Sequence, residues 1–236
     1  MRTGVILPSF SATAERAREV AARAEAAGVD GVFCYDHVWP MGQPGRPAIA
    51  PFPLLAAIAA TTDRVCVGTL VARIGLVPDR VLVAEVDALA ALAPGRVVMG
   101  LGTGDRMSAG ENEAYGVPFV TADERRASLR ACVQALRARA VPVWVGDGAP
   151  ATLAVAEEEG AAVNLWDAPP GRVAGQARRT EVTWGGPAPP AGGLEPLLAG
   201  LAGAGATWAV LGWPVDLVEL VAASRRTGGS PGGAVP

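Results

Sequence analysis

The sequence predicts a single closed (β/α)8 barrel, a TIM barrel, on three observations. Short Val/Ile/Leu-rich runs alternate eight times with longer Ala/Leu/Arg/Glu segments, the signature of strands followed by helices. The 236 residues leave about 30 per unit, the size of a minimal parallel crossover. No linker interrupts the series, so one barrel domain is expected over 1–225, with 226–236 as a flexible C-terminal tail.

Each element has a local reason. Strand one is expected at 4–7, and the helix after it is capped by Ser11 or Thr13 and stopped by Gly28. Strand two spans 31–35, and its helix 53–61 follows a Pro/Gly-rich loop. Strand three spans 65–71, and the helix at 80–92 ends at Pro94-Gly95. Strand four, 97–101, leads through a long loop to a helix at 122–138 capped by Thr121 or Asp123. Strand five is 143–145 with a helix at 151–159 ended by Gly160; strand six is 162–166 with a short helix at 172–179. Strands seven and eight, 181–184 and 207–211, flank a helix at 194–204, and 217–225 closes the series.

Composition removes whole classes of function. Half of the residues are hydrophobic and 18% are charged, which excludes a disordered or coiled-coil chain. A net charge of -3 with scattered arginines offers no field for nucleic acid. All 20 basic residues are Arg, so lysine-based phosphate loops, Schiff bases and pyridoxal anchors are impossible. The longest apolar run, 47–60, is broken by prolines and falls short of the ~20 residues a bilayer needs, so no membrane partner is expected. The opening MRTGVILPSF lacks a signal-peptide pattern, which predicts a cytoplasmic location. Cys34, Cys66 and Cys132 read as buried small hydrophobes, and a lone histidine without a CxxC pair predicts no metal.

In such a barrel the chemistry sits at the carboxyl ends of the strands. His37, after the apolar run GVFCY, is either a proton-transfer group beside Asp36 or a hydrogen-bonded rim residue. GLGTGD, 100–105, departs from a dinucleotide fingerprint in its glycine spacing; its glycines make either a tight turn or room for a ring or phosphate, with Asp105 adding a carboxylate. GDGAP, 146–150, opens a helix whose N–H groups suit an anion unless Asp147 caps them. Of Trp39, Trp144, Trp166, Trp184 and Trp213, most are expected in packing and one or two as walls of a planar ligand site.

The order GVDGVFCYDHVWP, VGTLVARIGLVPDRVLVAEVDALAALAPGRVVMGLGTGD, ENEAYGVPF, ERR and PVWVGDGAPATLAVAEEEGA resembles the bacterial luciferase-like family, in its F420-dependent oxidoreductase branch, over roughly the first 170 residues. The resemblance implies a barrel enzyme holding the deazaflavin F420, or alternatively FMN, in its mouth. It maps Asp36 and His37 onto cofactor-contacting and catalytic positions, with Asp36 or Asp105 tuning the imidazole. It places Thr69, Leu70 and Val71 behind the central ring, with a bulged non-prolyl cis peptide at Leu70-Val71. Thr103, Gly104 and Asp105 map to the loop after strand four, where relatives often carry Glu in place of Asp105. Gly146, Gly148, Ala149 and Pro150 map to the cofactor phosphate region.

The implied reaction is hydride transfer between deazaflavin C5 and a small organic substrate. His37 takes a hydroxyl proton in oxidation or donates one in reduction. An FMN monooxygenase served by a separate flavin reductase, or a non-catalytic flavin-binding barrel, are the alternatives. Relatives commonly form homodimers, and that is expected here. Two departures stand out. The excursion many relatives insert before strand five is reduced to ARAVP, and strands six to eight are joined briefly, which implies shortened loops and an open cleft or one covered by a partner subunit.

Overall fold

A computed structural model of the chain describes residues 1–228. Eight parallel strands pair in chain order and close into a barrel: β1 (Arg2–Ile6), β2 (Gly31–Cys34), β3 (Cys66–Arg73), β4 (Val97–Gly102), β5 (Val143–Gly146), β6 (Ala162–Trp166), β7 (Val182–Gly186) and β8 (Ala206–Gly212). The connecting helices are α1 (Glu15–Ala27), α2 (Pro51–Ala59), α3 (Asp79–Leu92), α4 (Ala109–Ala114), α5 (Ala122–Arg137), α6 (Pro150–Glu159), α7 (Pro170–Ala177), α8 (Leu194–Gly203) and α9 (Leu217–Arg226). The (β/α)8 barrel expected from the alternating pattern is therefore the fold. Among the described residues no helix is long and apolar enough to cross a membrane.

Two apolar layers hold it together. The outer one packs strand residues such as Val32, Val67 and Leu101 against Leu55, Leu82 and Leu129 of the helices, all buried. The inner one fills the barrel with Ile6, Phe33, Leu70, Val98, Trp144, Trp208 and Val210. Phe33 stacks on Trp144 at 5.1 Å and meets Trp208 edge-on at 6.0 Å. Gly4 and Gly31 give Phe33 its space, because a Cβ at either would lie 2.8 or 2.9 Å from the ring. This plug closes the barrel's middle and leaves its carboxyl end free to hold a site. The three cysteines are free and buried, and burial raises the Cys34 and Cys66 thiols above their ordinary range.

Several local expectations need correction. Neither Ser11 nor Thr13 caps α1; Ala14 holds the N-cap without a side-chain bond, while Gly28 ends the helix at φ 90° as expected. Thr121, not Asp123, caps α5, in a reciprocal box with Glu124. The long loop after β4 contains a 3-10 turn at Arg106–Ser108 and then α4. Arg226, assigned to the tail, is the last residue of α9 and donates to Glu195 at 2.7 Å; the tail residues 229–236 lie outside the described residues.

Between Thr69 and Ala72 the register of β3 on β4 shifts, and the Leu70-Val71 peptide within that bulge is cis, at the position the resemblance implied. The bulge turns Val71 toward β4 and β5. Cβ atoms at Gly100, Gly102 and Gly146 would lie 3.1, 2.5 and 3.0 Å from the Val71 methyls. The glycines of GLG and the first glycine of GDGAP therefore share one neighbour, the Val71 side chain.

Candidate active site

The carboxyl ends of the strands surround a cavity of about 680 Å³. The sequence brings polar groups there by ending each apolar strand in a polar or glycine-rich turn. A second hollow, about 830 Å³, lies at the opposite end around Arg2, Trp144 and Trp208. The mouth holds the histidine and the glycine-rich strand ends, and it is the site the fold's chemistry favours.

His37 stands three residues past β2, its side chain 21% exposed. Its Nδ1 lies 2.9 Å from Oε1 of Glu111, a residue of α4 that is almost wholly buried. The other oxygen of Glu111 accepts the backbone N–H of Val38 at 2.6 Å. Arg73, at the end of β3, places Nη1 3.8 Å from the same Oε1 and donates from it to the Ser108 carbonyl at 3.1 Å. Its Nε and Nη2 are buried without a partner. Burial pulls the Arg73 guanidinium down from its ordinary range, and the charges of Glu111 and Asp36 oppose that.

Asp36 does not touch the imidazole. Its carboxylate accepts the Arg73 backbone N–H at 2.9 Å. Burial pushes this carboxyl up, with a smaller push from the Glu111 charge, against the lowering effects of the Arg73 hydrogen bond and of the Arg73 and His37 charges. Asp105 is likewise engaged elsewhere. It lines the cavity, but its carboxylate caps the 3-10 turn, accepting from the N–H groups of Met107 and Ser108. The carboxylate within hydrogen-bond distance of the ring belongs to Glu111, which the sequence reading did not name; Asp36 meets the charge of His37 without a hydrogen bond to the ring. Backbone N–H donors hold the other two carboxylates, that of Arg73 for Asp36 and those of Met107 and Ser108 for Asp105.

The remaining expected residues divide. Leu70, Val71, Thr103, Gly104, Gly146, Gly148 and Ala149 line the cavity. Thr69 does not; it is fully buried and its hydroxyl donates to the Gly100 carbonyl at 2.7 Å, tying the bulge to β4. Pro150 also stands outside the lining, as the first residue of α6. No side chain caps α6, because Asp147 is drawn sideways into an ion pair with Arg172 (2.6 Å) and accepts the Trp166 N–H. The start of α6 therefore presents Gly148, Ala149 and Thr152 to the cavity.

Sequence reasoning missed several lining residues. Phe10 stacks on Tyr35 at 5.4 Å, and both tilt against His37 at 6.3 Å. Burial pushes the Tyr35 phenol up to about 12, so it stays protonated. Asn164, buried on β6, donates to Thr183 at 2.9 Å. Of the tryptophans, Trp166 walls the cavity, half-exposed and edge-on to Tyr35, whereas Trp144 and Trp184 are packed away. Glu111 lay inside the quoted ENEAYGVPF, but nothing local says that its carboxylate reaches a ring 74 positions earlier.

The arrangement offers an imidazole at one end of an aromatic and aliphatic cavity and uncapped backbone N–H groups at the other. Such a pair suits a planar molecule with an anionic tail.

Comparison with known proteins agrees with the fold. Residues 1–140 match the family described as luciferase-like monooxygenase. The F420-dependent glucose-6-phosphate dehydrogenase of Beutenbergia cavernae is 40% identical over 126 residues, which are 52% of this chain and 35% of that protein. The aligned part of this chain thus spans about a third of that relative's length. An F420-dependent secondary alcohol dehydrogenase, solved with an F420-acetone adduct, superposes with a TM-score of 0.75 at 15% identity, covering 89% of this chain and 92% of that one. The F420-dependent tetrahydromethanopterin reductase of Methanopyrus kandleri gives 0.71 at 12% identity over 94% and 96%, and a monooxygenase of Streptomyces bottropensis 0.66 at 17% over 95% and 97%. At these identities the structures establish a common fold.

Proposed function

Because the chain belongs to the luciferase-like monooxygenase family, we propose that it is an oxidoreductase moving a hydride between the deazaflavin F420 and a small organic substrate. The observation that carries this reading is the chain's only histidine, about one-fifth exposed on the wall of a cavity of about 680 Å³. The curated relative's dependence on F420 supports the choice of cofactor.

The residues fit such a group. Val71 backs a floor of glycines, which leaves the cavity wall without side chains at Gly102, Gly104 and Gly146. Tyr35, Phe10 and Trp166 supply flat apolar surface, and the start of α6 supplies N–H groups for a phosphate. When bound, the deazaflavin supplies a carbon that accepts or releases a hydride. His37 moves the accompanying proton: its ring takes the substrate's hydroxyl proton in oxidation and returns it in reduction. General acid–base help of this kind contributes about 10²–10⁴ in rate.

His37→Asn tests the assignment. The variant is expected to bind F420 as the parent does and to lose turnover by about 10²–10⁴; unimpaired turnover would remove His37 from the reaction. The family's own description as monooxygenase supports a second reading, an FMN enzyme fed by a separate reductase. Fluorescence titration with both cofactors separates the two, and no affinity for F420 ends the first.

A further inference from the structure

We infer that Glu111 is a positioning residue: its carboxylate fixes the imidazole proton of His37 on Nδ1, so that Nε2 meets the substrate as a bare acceptor. The inference rests on the proposed role of His37 and adds the group that decides which ring nitrogen is active.

The two oxygens of Glu111 face different groups. Oε2 accepts the Val38 backbone N–H at 2.6 Å, and a backbone N–H can only donate. Oε1 lies 2.9 Å from His37 Nδ1. The same Oε1 lies 3.8 Å from the Arg73 guanidinium, a countercharge to the carboxylate. An ionised carboxylate accepts at both ends, so Nδ1 must be the donor. The neutral ring then carries its proton on Nδ1 and its lone pair on Nε2.

The carboxylate is itself held in place. Glu111 is 2% exposed, and its neighbour Asn112 donates to the carbonyls of Gly75 and Pro118 at 3.0 and 3.3 Å, which pins α4 against the loop after β3. On the other side Phe10 and Tyr35 tilt against the ring and limit its rotation. During oxidation the hydroxyl O–H bond breaks and its proton joins the Nε2 lone pair. The positive ring that results faces Glu111 at hydrogen-bond distance. In reduction the same proton returns to oxygen.

Glutamine cannot fill this place, although it has the same shape. With its oxygen toward Val38, its NH2 meets Nδ1 and forces the ring proton to Nε2. Turned round, its NH2 meets the Val38 N–H, donor against donor. Glu111→Gln should therefore reverse or mix the tautomer while leaving the cavity intact.

His37 is the only histidine, so one imidazole appears in the spectrum of the full chain labelled with 15N-histidine. In the cofactor-free protein with the ring neutral, a two-bond 15N–1H correlation is expected to show a protonated Nδ1 and an unprotonated Nε2. A protonated Nε2 in the parent overturns the inference, and that measurement stands even if Glu111→Gln fails to fold. In a folded Glu111→Gln the Nδ1–H form is expected to be lost and F420 affinity to stay within about threefold, while turnover falls by about 10²–10⁴. An unchanged tautomer with unchanged turnover refutes it. Failure of the parent to bind F420 removes the proposed function and leaves the tautomer result standing.

Discussion

The shared contact of three glycines with Val71 can be tested by a double-mutant cycle. A Cβ at Gly102 would sit 2.5 Å from a Val71 methyl, about 1 Å inside ordinary contact, and overpacking of this kind costs about 1–3 kcal/mol. Against it stands the gain of about 0.4–1 kcal/mol from restricting the unfolded chain, so Gly102→Ala alone should destabilise by about 1–2 kcal/mol. Val71→Ala removes the methyls of a partly buried side chain, a loss of about 1 kcal/mol. In that background the new Cβ faces only the Cβ of residue 71, at 3.5 Å, an ordinary contact. Gly102→Ala should then become neutral or slightly stabilising, giving a coupling of about 1–2 kcal/mol. Gly100→Ala is the control: its Cβ would lie 2.4 Å from the Thr69 carbonyl, which shortening Val71 does not move, so it should stay destabilising in both backgrounds. Urea unfolding of the single and double variants reads all of these. Additivity of Gly102→Ala and Val71→Ala to within about 0.5 kcal/mol would refute the contact as the reason for the glycine.

Two further predictions concern the scaffold. Glu25 Oε1 accepts the N–H groups of Asp63, Arg64 and Val65 at 2.9, 2.7 and 3.1 Å; burial raises this carboxyl, but those bonds and the Arg64 charge outweigh it and hold it below 4.5. A lowered folded-state value stabilises above the unfolded value and is lost as pH falls through the folded one, so Glu25→Ala should cost about 1–2 kcal/mol at pH 7 and less as the solution is acidified below 4.5; urea midpoints giving one constant difference would contradict this. Arg172→Ala should free Asp147 to turn toward the start of α6 and weaken F420 binding roughly two- to fivefold, the scale of a charge at a helix terminus, with little loss of stability from so exposed a pair. Affinity unchanged in a fluorescence titration would show that Asp147's position is irrelevant to the ligand.

What could be read from the sequence was whatever is decided locally. Strand β6 matches the expected 162–166 at both ends because an apolar run there is bounded by Gly160 and a polar turn. Thr121, as one of two candidate caps, and Gly28, as a stop, announce themselves by residue type, whereas the Glu124 half of the cap was not read. β1 begins at Arg2, two residues earlier than expected, because its start is set by pairing with Trp208 and Ala209 of β8, partners more than 200 positions away. Helix α4 was invisible for a related reason. AGENEA has no apolar stripe and a glycine in its first turn, and its buried members are Glu111 and Asn112, whose partners are His37, Val38, Gly75 and Pro118. Propensity cannot report a helix held by hydrogen bonds to other loops.

The same distinction explains how the site is divided. The groups shown against the imidazole come from the part of the chain matching the family: Glu111 on α4, with Phe10 and Tyr35 beside the ring, while Arg73 at the end of β3 faces Glu111. The uncapped helix start and Asn164 and Trp166 of the opposite wall come from β5 onward, beyond that match. Neither half encloses the cavity alone, since β8 must return to β1 before the two walls face each other. Val71 is the joint between them, reaching from the β3 bulge to Gly102 on one half and Gly146 on the other. A side chain placed there transmits any change in the bulge to both walls at once. The glycines opposite it therefore matter to the shape of the cavity as much as to the stability of the barrel.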